Sequence, residues 1–434
     1  MKKTYLKAEL WDRMQHLMRR YYDGMEHSAL YYDGHIDEDI FRKALVHMTD
    51  SVPVLHSRYC SGLVTPHWEV CDYSPEDILV VRESEDLEAD TFRFFDNVIP
   101  ASSNLQYRAE LLYHEDKTAV LLLINHMCFD GGDYAYFMNA LCASYNRLLR
   151  GLEPVEVKNG SRAYHMMYEG MDNEMRRKVK GLYRNISATS EKHHLPYAKR
   201  SKDDVQIFVR RKIDPELFVR MKEAGKRDGA TVNDVLQAAF IRSLYEICRV
   251  PEHDGIHVSN MFDLRVHIPN AHKITGLTNH TGYLQCAVEN NEPSMHEMVK
   301  KVSEGMKKAK SDPYAGMYGI PLLKLAYTIF PEVFAKTAIR IGYKNPQFSI
   351  SNIGVLKGEM LSLGDAKLVD AFITGTVKHK PYVQLSSFSL NGTMNLISTV
   401  KGSAEDRKLI EAMLDCVLAE VRRYAEENSL CAAN

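Results

Sequence analysis

Apolar residues recur at Leu6, Leu10, Met14, Leu17, Met18 and Tyr21, the spacing of one helical face over residues 5–21. Asp37 precedes a second such run, Ile40, Ala44, Leu45 and Met48, where its carboxylate can cap the free amides of a first turn. The pattern then shortens into β-branched and aromatic runs that predict strands at 54–59, 68–71, 79–82 and 106–114. Glu115-Asp116 separates the last of these from an apolar run at 118–125, so the two should form a hairpin. After Gly131-Gly132 the helical spacing returns, with Phe137, Leu141, Tyr145 and Leu148 on one face to about residue 149.

Residues 151–203 are charged and poor in strand signal, and they end in a polar run from His193 that reads as an inter-lobe linker. Beyond it the alternation resumes. A strand is expected at 205–213, helices at 215–227 and 232–248 (the second capped by Thr231), and strands near 256–261 and 281–288. A helix near 294–310, an apolar segment at 314–342, strands near 347–351, 382–389 and 393–399, and a closing helix at 404–426 complete the pattern. Strands and helices mixed in both halves predict an α+β protein of two lobes, 1–192 and 205–434, joined by the linker 193–204. No internal repeat is visible.

At 434 residues the chain is too long for one ordinary core, which agrees with two lobes. Its 55 basic and 57 acidic residues leave a formal charge of −2, which argues against a nucleic-acid partner held by bulk charge. The eight cysteines are scattered without a CxxC spacing, as expected of reduced thiols in a cytoplasmic protein. The first residues carry too many charges for a secretory signal, and the longest clean apolar run, 119–124, is far too short for a membrane span. His253 and His257 flank a turn-forming Asp254-Gly255, so no metal site is expected there or elsewhere.

The chemistry-bearing stretch is His126-Met-Cys-Phe-Asp130-Gly131, where a strand runs out into a glycine-containing turn. A side chain at such a place projects from a rigid support, and an imidazole titrating near neutrality suits proton removal from a hydroxyl or amine. The alternative is a packed histidine at a strand end, with Asp130 simply capping the next helix. Gly131 and Gly132 can allow close backbone approach to a ligand. Cys128 lies inside the stretch and reads as a packing residue.

The stretch resembles the HHxxxDG motif of the superfamily of condensation domains and chloramphenicol-acetyltransferase-like enzymes, which also holds alcohol acyltransferases and lipid-assembling acyltransferases. The run from Ser51 to Tyr59, Ser-Val-Pro-Val-Leu-His-Ser-Arg-Tyr, resembles an early segment of that family. Asn260-Met-Phe-Asp-Leu-Arg265 resembles the segment bearing a family arginine, and Thr278-Asn279-His280-Thr281-Gly282 a downstream turn. Ser349-Ile-Ser351-Asn352-Ile-Gly354 resembles the family's SNxG segment. One departure is clear: Asn125 stands where the motif has its first histidine.

The resemblance implies two chloramphenicol-acetyltransferase-like lobes with a substrate tunnel between them and His126 near its middle as general base. It implies a structural ion pair of Asp130 with Arg265, which sequence alone would leave as a surface arginine. No tightly bound cofactor is implied; coenzyme A or a phosphopantetheine thioester is the co-substrate. The partners expected are a small-molecule acyl acceptor and either acyl-CoA or a separate acyl carrier protein. Asn125, Gly131, Gly132, Asn279, Ser351 and Asn352 are substrate-binding or oxyanion candidates, although Ser351-Asn352 reads equally as a turn. The apolar segment 314–343 reads as core or as the lining of an acyl tunnel. Three functions remain open: an acyl-CoA-dependent O- or N-acyltransferase, a stand-alone condensation enzyme forming amides with separate carrier proteins, and a binding member without turnover.

Overall fold

The computed structural model describes residues 3–61, 65–182, 192–330 and 332–430. Two mixed sheets dominate it. The first has five strands in the order Lys367–Thr374, Met25–Asp33, Lys117–Asn125, Tyr107–His114 and Leu79–Glu83. All neighbours in it are antiparallel except the last pair. Helices Glu38–Ser51 and Gly131–Leu148 bury Phe41, Leu45, Phe137 and Leu141 in the core beside this sheet. The second sheet has seven strands. Thr281–Val288, Ile256–Asp263, Phe348–Leu356, Val383–Leu390 and Thr393–Gly402 form its path, and both Lys378–His379 and Val205–Ile213 pair with the last of them. Helices Val232–Ile247, Met295–Ser311 and Ala404–Leu430 share its core. A small sheet of Tyr5–Lys7, His67–Val70 and Ser57–Cys60 lies apart.

A third apolar cluster joins segments far apart in sequence. Helix Leu10–Met18, the turn Tyr164–Tyr168, Leu264 and Ile268, and helices Ile320–Ile329 and Glu332–Gly342 meet there. The linker region 193–204 carries no regular element. It is fastened to the second lobe by buried Leu195 and by Lys380 Nζ, which lies 3.0 Å from Asp204 and 2.8 Å from Asp406.

Most expected elements are present, and the differences have physical causes. The helix expected over 5–21 is a short strand, Tyr5–Lys7, followed by helix Leu10–Met18; Asp12 accepts the Glu9 amide at 2.8 Å and starts the helix there. The strand expected at 54–59 opens instead as a 3-10 turn, Pro53–His56, because proline fixes φ and cannot donate to a ladder. The apolar segment 314–342 holds the helices Ile320–Ile329 and Glu332–Gly342. The pattern missed helix Leu87–Phe95 and two strands of the first sheet, Met25–Asp33 and its edge strand Lys367–Thr374. Met25–Asp33 is buried almost throughout, so its polar Glu26, His27 and Ser28 do not alternate with apolar residues. The expectation of one lobe over 205–434 meets a crossing: Lys367–Thr374 belongs to that stretch and pairs with Met25–Asp33 in the sheet of the first lobe.

A fragment ending at residue 204 would leave Met25–Asp33 as an open, apolar sheet edge, which is an aggregation template. Expressed alone it should be found in the insoluble fraction, and co-expression with residues 205–434 should recover it as a soluble complex. A soluble, monomeric 1–204 fragment would show that the crossing strand is dispensable.

Candidate active site

His126 follows the last residue of strand Lys117–Asn125, and its amide donates to Gly24 O at 2.9 Å. The adjoining strand sets Glu26 across from Ile124, and this register carries the Glu26 carboxylate to the imidazole. Nδ1 lies 3.1 Å from Glu26 Oε1 and 2.9 Å from Phe129 O. A carbonyl oxygen can only accept, so Nδ1 carries the proton and Nε2 keeps its lone pair. Burial pushes the His126 pKa down, but the adjacent Glu26 charge and hydrogen bond more than offset it, and the net shift is upward. Glu26 is raised in turn, chiefly by burial and only partly offset by His126. Its second oxygen is buried without a hydrogen-bond partner.

The loop that follows is held by charges from elsewhere in the chain. Arg265 Nη1 lies 2.8 Å from Asp130 Oδ2 and 3.0 Å from Asp263 Oδ1, and Nη2 lies 2.5 Å from Asp133 Oδ2. Asp130 also accepts the His280 amide at 2.8 Å and the Asp133 amide at 3.1 Å, capping helix Gly131–Leu148. Burial alone would raise the Asp130 pKa; Arg265 and these amides hold it below the usual carboxylate range. Asp133 is displaced the other way, first by burial and then by the charge on Asp130. Arg162 adds a second clamp. Its guanidinium donates to the carbonyls of Met127, Cys128 and Leu277 at 3.0, 2.9 and 2.9 Å, and it meets Asp12 at 2.7 Å.

A cavity of about 90 Å³ opens in front of His126 and is bordered by both lobes, with Glu26 and Tyr22 from the first and Ser351, Gln384 and Ser386 from the second. Lys378 also faces it. The Lys378 ammonium donates to Thr376 Oγ1 at 2.9 Å and sits 4.5 Å from the centroid of the Tyr22 ring. Burial lowers its pKa to about 8 against the pull of Asp23.

The other residues singled out by sequence fall into two groups. Gly131 and Ser351 line the cavity. Asn125, Gly132, Asn279 and Asn352 do not. Asn125 is fully buried, donating to Gln106 Oε1 at 2.6 Å and accepting the Met127 amide at 3.1 Å, so it shapes the loop from behind. Asn279 Nδ2 donates to the carbonyls of His126 and Phe129 at 3.1 and 3.3 Å. Asn352 is exposed and folds onto the Gly354 amide at 2.9 Å, as strand pleating turns it away from the face that Ser351 presents. Neither Gly131 nor Gly132 adopts positive φ; they open the helix, and a Cβ on Gly132 would approach Asp130 Oδ1 to 3.4 Å. Cys128 is buried, which pushes its thiol pKa up and disfavours the thiolate, and it does not line the cavity. No cluster of metal-ligating side chains occurs among the described residues, and Cys431 lies outside them.

Sequence reasoning missed Glu26, Lys378 and Arg162. Glu26 sits on a strand buried on both faces, where no alternation marks it, and nothing local marks the other two.

The condensation-domain family model matches residues 15–324, and the model of the WS/DGAT C-terminal domain matches residues 277–418. No curated protein matched by sequence. Among solved structures, the fold is similar to the epimerization domain from the third module of tyrocidine synthetase B. That match has 13% identity, covers 98% of this chain and 97% of the other, and has a TM-score of 0.71. It is also similar to the condensation domain of the monacolin K polyketide synthase MokA, with 13% identity, 98% of each chain covered and a TM-score of 0.70. A third is TRI3 trichothecene 15-O-acetyltransferase from Fusarium sporotrichioides, with 12% identity, coverage of 96% and 95%, and a TM-score of 0.69.

Removing Arg265 strands two buried carboxylates, whereas neutralising Asp130 leaves Arg265 with Asp133 and Asp263. Arg265→Ala should therefore cost about 3–5 kcal/mol in denaturant unfolding, and Asp130→Asn nearer 1–3 kcal/mol. In Arg265→Ala the folded-state carboxylates titrate above their unfolded values, so the deficit should shrink as pH falls from 7 to 5. Equal losses for the two variants, or a deficit independent of pH, would contradict the clamp.

Proposed function

This chain belongs to the condensation-domain family, and we propose that it moves an acyl group from a thioester to a hydroxyl or amine with His126 as general base. The observation that carries this reading is the placement of the imidazole: Nδ1 lies against Glu26 and the Phe129 carbonyl, an arrangement that favours the proton on Nδ1 and a free Nε2, beside a cavity between the lobes. The acceptor donates its proton to Nε2 as its oxygen or nitrogen attacks the thioester carbon. Negative charge gathers on the former carbonyl oxygen, the imidazolium forms against the Glu26 carboxylate, and the departing thiolate takes the proton back as the intermediate collapses. A thioester is already activated, so positioning and one base suffice without a covalent enzyme intermediate.

The cation suited to the developing oxyanion is Lys378, which is buried in the same cavity and so acts in a poorly screened setting. Ser351, also on the cavity wall, is the neutral donor of the proposal. Asp130 and Arg265 hold the loop and take no proton: both Asp130 oxygens are already engaged. Either acyl-CoA or a separate carrier protein can present the donor. The WS/DGAT C-terminal match supports the alcohol-acylating side of the family, and the condensation-domain match supports carrier-borne donors.

Incubation with radiolabelled acyl-CoA and a panel of alcohols and amines tests the reading directly. His126→Ala should lose about 10²–10⁴-fold in transfer with its melting curve unchanged, the usual worth of a positioned base. A folded His126→Ala protein retaining most of its activity would remove the base from the mechanism.

The two flanking charges make opposite predictions for the pH profile. Glu26 raises the His126 pKa, so Glu26→Gln should move the acidic limb of kcat/KM to lower pH. Lys378 lowers it, so Lys378→Met should move the same limb to higher pH while reducing kcat by roughly 10²–10³-fold. Shifts in the same direction would contradict the assignment of these charges.

A further inference from the structure

A second cavity of about 310 Å³ lies beside the first, between helix Leu10–Met18 and the helices Ile320–Ile329 and Glu332–Gly342. Among the described residues none of its lining side chains is charged; Met14, Met18, Leu323, Ala326 and Ile339 make up much of the wall. Three residues, Gln15, Thr281 and Tyr283, line this chamber and the His126 cavity alike, so the two spaces adjoin at a polar collar. Gly282 and Gly316 let the chamber's floor close up: a Cβ on Gly282 would lie 2.7 Å from Gly316 O. Gln15, Thr281 and Tyr283 therefore put polar groups at the end shared with the His126 cavity, while the rest of the lining is mostly aliphatic, with Trp11, Tyr318 and Tyr343 the side chains there that carry a polar atom.

That gradient matches one kind of molecule, a chain with a polar reacting end and an unbranched hydrocarbon tail. Resting on the acyl-transfer reading, we propose that the chamber holds the alkyl tail of the acyl donor, with the thioester carbonyl at the Gln15–Thr281–Tyr283 collar and the reactive carbon facing His126. The thiol half of a coenzyme A or phosphopantetheine donor is a long polar arm, and a chamber without a charged side chain gives it no partners. The acyl tail is the part of the donor that fits. A methylene is close in size to a water molecule, which occupies about 30 Å³, so the space accommodates about ten carbons. Burying each methylene is worth about 0.8 kcal/mol, or roughly fourfold in affinity.

Binding can be measured apart from turnover with S-alkyl-N-acetylcysteamine thioethers of two to sixteen carbons, which cannot react, titrated calorimetrically into the intact protein. Affinity should rise roughly fourfold per methylene to about ten carbons and then level off. Ala326→Phe, and separately Ile329→Trp (the native Ile329 is 61% exposed, so the change is easily borne), should move that plateau to shorter chains. Affinity independent of chain length, or a plateau unmoved in both folded variants, would overturn the proposal. A third titration series with free 1-alkanols identifies the source of the tail: a steeper length dependence for alkanols than for thioethers would assign the chamber to the acceptor and overturn it as well. Length-dependent thioether binding in a protein that transfers no acyl group would leave the chamber standing and remove the acyl-transfer reading instead.

Discussion

The guanidinium of Arg265 is the pivot of this molecule. It follows a strand of the second sheet, yet it neutralises Asp130 and Asp133 on the loop and helix that begin where the first sheet ends. Three carboxylates, including Asp263, converge on one cation. Such a cluster is a poor source of net stability, because desolvation consumes most of the Coulomb attraction, but its geometry is strict. The same loop carries His126, so the position of the imidazole is set by a charge contributed from the opposite lobe. Arg162 repeats the arrangement with carbonyls, drawing Met127 and Cys128 towards Leu277. A candidate site assembled at a seam is thereby tied into the cores on both sides of it.

Within that frame the cavity keeps a short sequence of charges. Glu26 and Lys378 both line the cavity and have opposite effects on the imidazole, one raising and one lowering its proton affinity. Neither is satisfied in the manner of an ordinary buried ion. One Glu26 oxygen has no partner, and the Lys378 ammonium rests on a threonine hydroxyl and an aromatic face. Groups held this way have interaction capacity left over, which is what the proposed transfer would draw on.

His126 and Asp130 were readable in the sequence because a motif places them, Arg265 only through the family resemblance, and most helices because their caps and periodicity are local. Asp37, Thr231 and Asp214 each cap the helix that follows them. Glu26 was not readable. It lies on a strand buried on both faces, where alternation fails and a carboxylate looks like evidence against a strand. Lys367–Thr374 escaped for a related reason: its partner strand lies more than 330 positions earlier, and no local pattern encodes a pairing of that range. Asn352 was misplaced by adjacency, since two neighbouring strand residues face opposite ways and only Ser351 turns to the cavity. The sequence marks residue chemistry well; which chemistry shares a space is decided by register.

The strand Lys367–Thr374 has a consequence for how the molecule works in time. Two domains joined by one linker can open like a book, admit a substrate and shut. Here a ladder running from Lys367 opposite Asp33 to Thr374 opposite His27 is stitched across the cover, and opening would strip this edge strand from the first sheet. Under the proposed acyl transfer, the reactants would have to reach His126 with that ladder intact, past the side chains that line the cavity.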